Sequence, residues 1–174
     1  MTDTELLKGK SILIVDDEED ILESLTDLLE MCQLDIAPDF ETAEKFLAKN
    51  RYDAAIFDIM GVDGYKLLEI ANQKDIPALM LTAHAMTPAN LIKSIKRGAG
   101  AYIPKDNMVD IEDFLVDLIK ARQAGHKKDG TWFSRLRPFF DRKFGEGWRE
   151  KDREFWRDFD KTHVVSKDEL EKLL

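Results

Sequence analysis

Residues 11–17 read Ser11-Ile12-Leu13-Ile14-Val15-Asp16-Asp17. Four successive aliphatic side chains without polar alternation describe a strand covered on both faces, and two adjacent carboxylates end it. The same pattern returns along the chain. Ala54–Phe57 (AAIF) runs into Asp58, Ala78–Leu81 (ALML) runs into Thr82, and Ala101–Ile103 is followed shortly by Lys105. Leu34–Ala37 completes the candidate strands.

Between these runs lie amphipathic segments. Ile21, Leu22, Leu25, Leu28 and Leu29 recur at helical spacing, as do Ala43, Phe46 and Leu47. Asp63-Gly64 marks a turn before Tyr65-Lys66-Leu67-Leu68. Thr87-Pro88 supplies a cap residue and a first-turn proline for the next helix, and Ile111, Phe114, Leu115, Leu118 and Ile119 form the last stripe. Strands alternating with helices predict an α/β domain with an open, doubly wound, five-stranded parallel sheet. Right-handed crossovers bring the carboxyl ends of the strands to one edge, where such sheets bind ligands. Asp16, Asp17, Asp58, Thr82 and Lys105 all fall on that edge.

Three carboxylates there repel one another, each pair at about 4 Å by roughly 4 kcal/mol at an effective dielectric near 20. A divalent cation and an ammonium relieve that repulsion. Hard oxygen ligands select Mg²⁺, which keeps waters and bridges to phosphate oxygens. Lysine is a point-charge phosphate contact, and a threonine hydroxyl can donate to a phosphate oxygen. Taken singly, each residue reads as an ordinary loop, strand-end or surface residue. Taken together, they predict an Mg²⁺-dependent phosphoryl acceptor.

These residues are where the chain resembles the receiver domain of two-component response regulators. The resemblance covers residues 10 to about 122 and rests on IVDDEEDI, FDIM, LTA and GAGAYIPK. It implies a flavodoxin-like sheet of strand order 2-1-3-4-5. It also implies that Asp58 accepts a phosphoryl group from a sensor histidine kinase or phosphotransfer protein, and that Thr82 and Lys105 bind the phosphoryl oxygens. Asp16, Asp17, Asp58 and the backbone carbonyl of Met60 would hold Mg²⁺. Tyr102 falls at the switch aromatic and would turn inward as Thr82 moves toward the phosphate. Two positions depart from the family pattern. The loop Asp58-Ile59-Met60-Gly61-Val62-Asp63-Gly64 is about two residues short and has no proline. Asp106 stands where a proline usually follows the lysine, so the peptide after Lys105 is expected to be trans, the cis form costing about 3 kcal/mol or more without proline. Both departures bear on the lifetime of a phosphorylated state.

The 174 residues carry a net charge of −9, unevenly spread. Residues 1–124 hold 13 Lys+Arg and 24 Asp+Glu, residues 125–174 hold 13 and 11. An acidic body argues against direct nucleic-acid binding. The apolar runs are too short to span a bilayer, and Met1-Thr2-Asp3-Thr4-Glu5 has no apolar signal core. The single cysteine, Cys32, excludes an intramolecular disulfide and fits a reducing compartment, so a cytoplasmic protein is expected. Cys32 itself is expected on or near a buried helix face.

The composition changes near Ala124-Gly125, dividing the chain into a receiver at 1–124 and an extension at 125–174. His126–Gly130 (HKKDG) reads as a polar linker, and Trp132, Trp148, Trp156 and several phenylalanines follow. Trp132, Leu136, Phe140 and Phe144 recur every four residues, although Pro138 is expected to interrupt or start a helix. Trp148, Phe155, Trp156 and Phe159 fall broadly on one helical face after the Gly145-Glu146-Gly147 break, with Glu150–Arg153, Glu154–Arg157 and Asp158–Lys161 as i,i+3 pairs. Ser166-Lys167-Asp168-Glu169 reads as a capping box. Such short helices need a partner: the receiver itself, a second copy or another protein. A lipid surface fits the basic, aromatic stretch Ser134–Phe144, but the alternating charges after it argue against a membrane.

The leading reading is therefore a phosphorylation-controlled switch, with autodephosphorylation rather than turnover of a substrate. It would signal through the aromatic tail or through the face formed by the helix after Thr87, the strand at Ala101–Ile103 and the helix of Ile111–Ile119. Either surface could support a homodimer. The alternative is a non-phosphorylated pseudo-receiver scaffold whose tail mediates oligomerisation. A haloacid-dehalogenase-like phosphatase is disfavoured, because Met60 stands where a second aspartate is required.

Overall fold

The computed structural model describes residues 3–163 and 165. The strands are β1 (Ser11–Val15), β2 (Gln33–Ala37), β3 (Ala54–Phe57), β4 (Ala78–Thr82) and β5 (Ala101–Pro104). They form one parallel sheet in the order β2-β1-β3-β4-β5. Every residue of β3, β4 and β5 is buried, the two-faced covering that the unalternating runs require. Gln33, Thr82 and Pro104 join the sheet beyond the apolar runs.

The helices between strands are α2 (Glu19–Leu28), α3 (Phe40–Lys49), α4 (Gly64–Gln73), α5 (Pro88–Lys96) and α6 (Ile111–Gln123). Asp39 caps α3 by accepting the Thr42 N–H at 2.8 Å, and Thr87 caps α5 by accepting the Asn90 N–H at 3.1 Å. The chain steps from β1 outward to β2, then back across the sheet to β5. Right-handed crossovers therefore put α2 on one face and α3, α4 and α5 on the other. The reversal between β1 and β3 is the topological switch point.

A short helix, α1 (Asp3–Leu7), precedes β1 and was not expected. It buries Leu7 completely, and Asp3 pairs with Lys120 of α6 at 2.6 Å. Cys32 lies in the turn between α2 and β2 rather than on a helix face. It is half-buried, with Sγ 3.4 Å from the Leu7 carbonyl, and burial pushes its thiol up to about 11.

The tail forms α7 (Thr131–Phe144) and α8 (Arg153–Thr162). Pro138 lies inside α7 and does not interrupt it, a correction to the sequence expectation. The proline is exposed and withholds one N–H from the helix ladder, whereas Trp132, Phe133, Leu136 and Phe140 bury the opposite side. The HKKDG segment is tied down. The His126 N–H donates to the Ala121 carbonyl at 2.8 Å, and the Trp132 indole N–H donates to the Asp129 carbonyl at 2.8 Å. Glu150 and Arg153 pair at 3.0 Å as their spacing predicts. The capping box at Ser166–Glu169 lies outside the described residues. The tail packs on the receiver in cis, with α7 lying against β5 and α6, and one apolar cluster runs from the sheet into the tail.

Candidate functional site

Asp16 and Asp58 end neighbouring strands at the switch point. The Asp58 N–H donates to the Val15 carbonyl at 2.9 Å, continuing the β1–β3 ladder one step past β3. That step points two carboxylates into the same space. Carboxylate oxygens of Asp16, Asp17, Glu18 and Asp58 all lie within 4.8 Å of one another. Asp16 and Asp58 are 1% and 4% exposed, while Asp17 and Glu18 sit at the open rim.

Lys105 enters from the start of the 3₁₀ turn Lys105–Asp110 that follows β5. Its Nζ lies 2.9 Å from Asp16 Oδ2, 2.7 Å from Glu18 Oε1 and 3.4 Å from Asp58 Oδ2. One ammonium thus serves several carboxylates. Burial first, and then the Asp16 charge, push the Asp58 carboxyl up to about 6, with Lys105 pulling the other way. Burial also raises Asp16, whereas the hydrogen bond from Lys105 lowers the rim residue Glu18. For Lys105, burial acts to lower the pKa, but its contacts with the Glu18 and Asp16 carboxylates outweigh it and hold the ammonium above the ordinary lysine value.

The pocket has room in its bonding for a hard cation. Asp16 Oδ1 accepts the Glu18 N–H at 2.9 Å, but the buried Oδ2 has no aligned hydrogen-bond donor and only the charge of Lys105 beside it. Asp58 Oδ1 accepts the Ile59 N–H at 2.9 Å. An all-oxygen set with net negative charge and an unsatisfied buried oxygen fits Mg²⁺ better than a softer metal.

The shortened loop after Asp58 closes without a proline through backbone positions suited to glycine. Gly61 takes φ +84°, and a Cβ there would lie 2.3 Å from Asp17 Oδ2. Gly64 passes under the phosphoacceptor candidate, where a Cβ would lie 2.0 Å from the Asp58 carbonyl oxygen. Its N–H donates to the Ile59 carbonyl at 3.0 Å and pins the loop. The Met60 side chain is 54% exposed. No cis peptide occurs among the described residues, so the chain leaves Lys105 in the trans form, as Asp106 requires.

Thr82 and Tyr102 lie on β4 and β5, the two strands that follow β3 across the sheet. Thr82 is fully buried at the end of β4, and its Oγ1 accepts the Ala85 N–H at 3.2 Å. Tyr102 is turned inward and fully buried, and its hydroxyl donates to the Ala85 carbonyl. Sequence reasoning missed Glu18 and Ala85. Glu18 follows the acidic pair directly, a position that could have flagged it. The role of Ala85 lies in its backbone, which leaves no trace in a one-letter code. His84 reaches only the rim, with Nε2 4.0 Å from Glu18 Oε1.

Known proteins resemble this chain in sequence and in fold. A family model described as the response regulator receiver domain matches residues 12–116. The two-component response regulator ARR10 of Arabidopsis thaliana is 36% identical over 104 residues, covering 56% of this chain and 19% of that protein. The heme response regulator HssR of Staphylococcus haemolyticus is 41% identical over 122 residues, covering 67% of this chain and 54% of that protein. The chain thus spans only part of the length of these relatives. Among solved structures, a CheY-like receiver domain protein from Methanospirillum hungatei superposes with a TM-score of 0.62 at 27% identity, covering 68% of this chain and 99% of the other. A response regulator from Burkholderia pseudomallei, described with a phosphorylated aspartic acid, a calcium ion and citrate, gives a TM-score of 0.57 at 25% identity, covering 67% and 72%.

Proposed function

The chain belongs to the response regulator receiver domain family, and from that premise we propose that it accepts a phosphoryl group on Asp58 from a histidine kinase or phosphotransfer protein. The observation that carries this reading is the convergence of Asp16, Asp17, Glu18 and Asp58 within 4.8 Å, with Lys105 between them. A buried carboxylate kept close to an ammonium is oriented for in-line attack on phosphorus. An Asp58 carboxylate oxygen forms the new bond to phosphorus. The bond from phosphorus to the donor's imidazole nitrogen breaks, and its electron pair leaves with that nitrogen, which is then protonated from solvent.

Lys105 meets the charge on the transferring oxygens, and the Thr82 hydroxyl donates to one of them while its oxygen accepts the Ala85 N–H. Asp16, Asp17, Asp58 and the Met60 carbonyl would hold Mg²⁺, which supplies neutralising charge at the phosphoryl group when bound. The calcium ion and phosphorylated aspartic acid described for the Burkholderia relative support this assignment. The competing reading, a pseudo-receiver scaffold, draws on the short loop after Asp58. The charged set is nevertheless intact, which favours phosphoryl chemistry.

Residues 1–124 are assigned the phosphoacceptor function. Residues 125–174 are assigned an association function, exercised here on the receiver itself. No helix among the described residues is long and apolar enough to cross a membrane. The test is phosphoryl uptake from a small acyl phosphate in Mg²⁺. Wild-type protein should take up acid-labile label, and Asp58→Asn should fall to background. Equal uptake by the two proteins, or none by the wild type from either the small donor or a kinase, sinks the reading.

A further inference from the structure

The receiver's last strand is an edge strand, with β4 on one side and the tail helix α7 lying against it. Phe140 of α7 is 0% exposed and sits with its ring centroid 6.3 Å from that of Tyr102, which is also 0% exposed. The tail is anchored at this place. Arg135 of α7 reaches Asp117 of α6 with Nε at 2.7 Å and a second guanidinium nitrogen at 3.3 Å. Phe140 in turn belongs to the aromatic cluster with Phe133, Phe144 and Trp148.

Ala85 joins this contact to the carboxylate pocket. Its N–H donates to Thr82 Oγ1 at 3.2 Å, and its carbonyl accepts the Tyr102 hydroxyl. The backbone of one residue thus touches both the hydroxyl that faces a phosphoryl group and the aromatic ring under the tail. A Tyr102 ring that leaves Ala85 toward the sheet edge must displace Phe140, because the interior around it is close-packed. Docked α7 therefore excludes the outward arrangement of Tyr102. With Tyr102 inward on the Ala85 carbonyl, the Ala85 N–H is held on Thr82 Oγ1, which leaves the Thr82 hydroxyl proton free for a phosphoryl oxygen.

We infer that the chain's own α7 is an allosteric ligand of its receiver: docking on β5 and α6 favours the phosphoryl-bound pocket through Phe140, Tyr102 and Ala85, and phosphorylation tightens docking. The inference rests on the phosphoacceptor reading above. Linkage makes the coupling reciprocal, so each side must strengthen the other by the same factor. The edge that sequence analysis offered to a second copy is already occupied in cis along β5.

Hydrogen exchange of the full chain, with and without Mg²⁺ and beryllofluoride as the phosphoryl probe, tests this directly. Slower exchange in peptides over 58–64 and 82–87 reports probe binding. The expected result is that amides of 131–144 then also exchange about 5-fold or more slowly. Phe140→Ala should weaken probe binding by a similar factor. Tyr102→Phe keeps the ring against Phe140 but loses the bond to Ala85, and should remove the response of 131–144 while leaving α7 docked. Should Phe140→Ala fail to fold, Arg135→Gln loosens α7 from the outside and must weaken probe binding in the same direction. Protection at 58–64 and 82–87 with unchanged exchange in 131–144 overturns the coupling alone. No protection at 58–64 overturns the phosphoacceptor reading, and the coupling falls with it.

Discussion

In the strand-end pocket, Asp16, Glu18 and Asp58 compete for Lys105, and burial drives the Asp58 carboxyl up to about 6. In the tail, Phe133 stacks on Trp156 and Phe140 and meets Trp148 and Phe159 edge-on or tilted, with the Arg149 guanidinium 4.6 Å from the Trp156 ring. Arg149 also finds both oxygens of Asp160 at 2.9 Å, which pairs its charge at the rim, while its buried Nε and the Trp156 indole N–H find no hydrogen-bond partner. The pocket buries two carboxylates, Asp16 and Asp58, whose ionisation raises the free energy of the folded chain and becomes favourable with a cationic ligand. The tail gathers groups that lower it with no ligand at all. Functional chemistry and stability are thus carried by different residues, and substitutions should separate them.

The largest expected effect is in the tail. Phe133→Ala should lower folding stability by about 3–5 kcal/mol, read from the denaturant midpoint, through a cavity at the centre of the aromatic cluster. A loss below about 1 kcal/mol would mean that the tail is not the stabilising region. In the pocket, Lys105→Ala should slow phosphoryl uptake by about 10²–10³-fold, as loss of a preorganised charge contact does elsewhere. An unchanged rate would remove Lys105 from the chemistry and leave it a structural counter-ion.

Asp58→Asn sharpens the contrast, because it should destroy function and add stability. With its folded pKa near 6, above the ordinary carboxylate value of 3.8, Asp58 is neutral in both states at low pH. Its ionisation increasingly penalises the folded state as pH rises from about 4 to 6. Without Mg²⁺, the substitution should raise stability by about 1–2 kcal/mol at neutral pH, after discounting for solvent screening, and by nothing below about pH 4. Destabilisation at neutral pH would show that Asp58 is comfortably paired. The smallest effect belongs to the exposed Glu150–Arg153 pair, where Glu150→Gln should change stability by about 0.5 kcal/mol or less.

The sheet and most of the pocket were legible in the sequence for one physical reason. Strands buried on both faces leave uninterrupted apolar runs, and in a parallel sheet all such runs end on the same edge. Asp16, Asp58, Thr82 and Lys105 could therefore be brought together from spacing alone. Glu18 was harder, since acidic residues surround it and only the reach of Lys105 singles it out. The course of α7 through Pro138 and its seat on β5 were not legible. They depend on how Phe140 fits Tyr102, two rings from separate elements whose complementarity has no periodic signature. Helix α1 escaped notice because five residues are too few to show a pattern.

Which atom receives the phosphoryl group decides the function of the pocket. Full-length protein, labelled by a small acyl phosphate in Mg²⁺ and then reduced with borohydride, converts an aspartyl phosphate to homoserine, which tandem mass spectrometry locates. Homoserine is expected at position 58, dependent on Mg²⁺ and absent in Asp58→Asn. Modification at another residue, or none in the wild type, contradicts the phosphoacceptor role of Asp58.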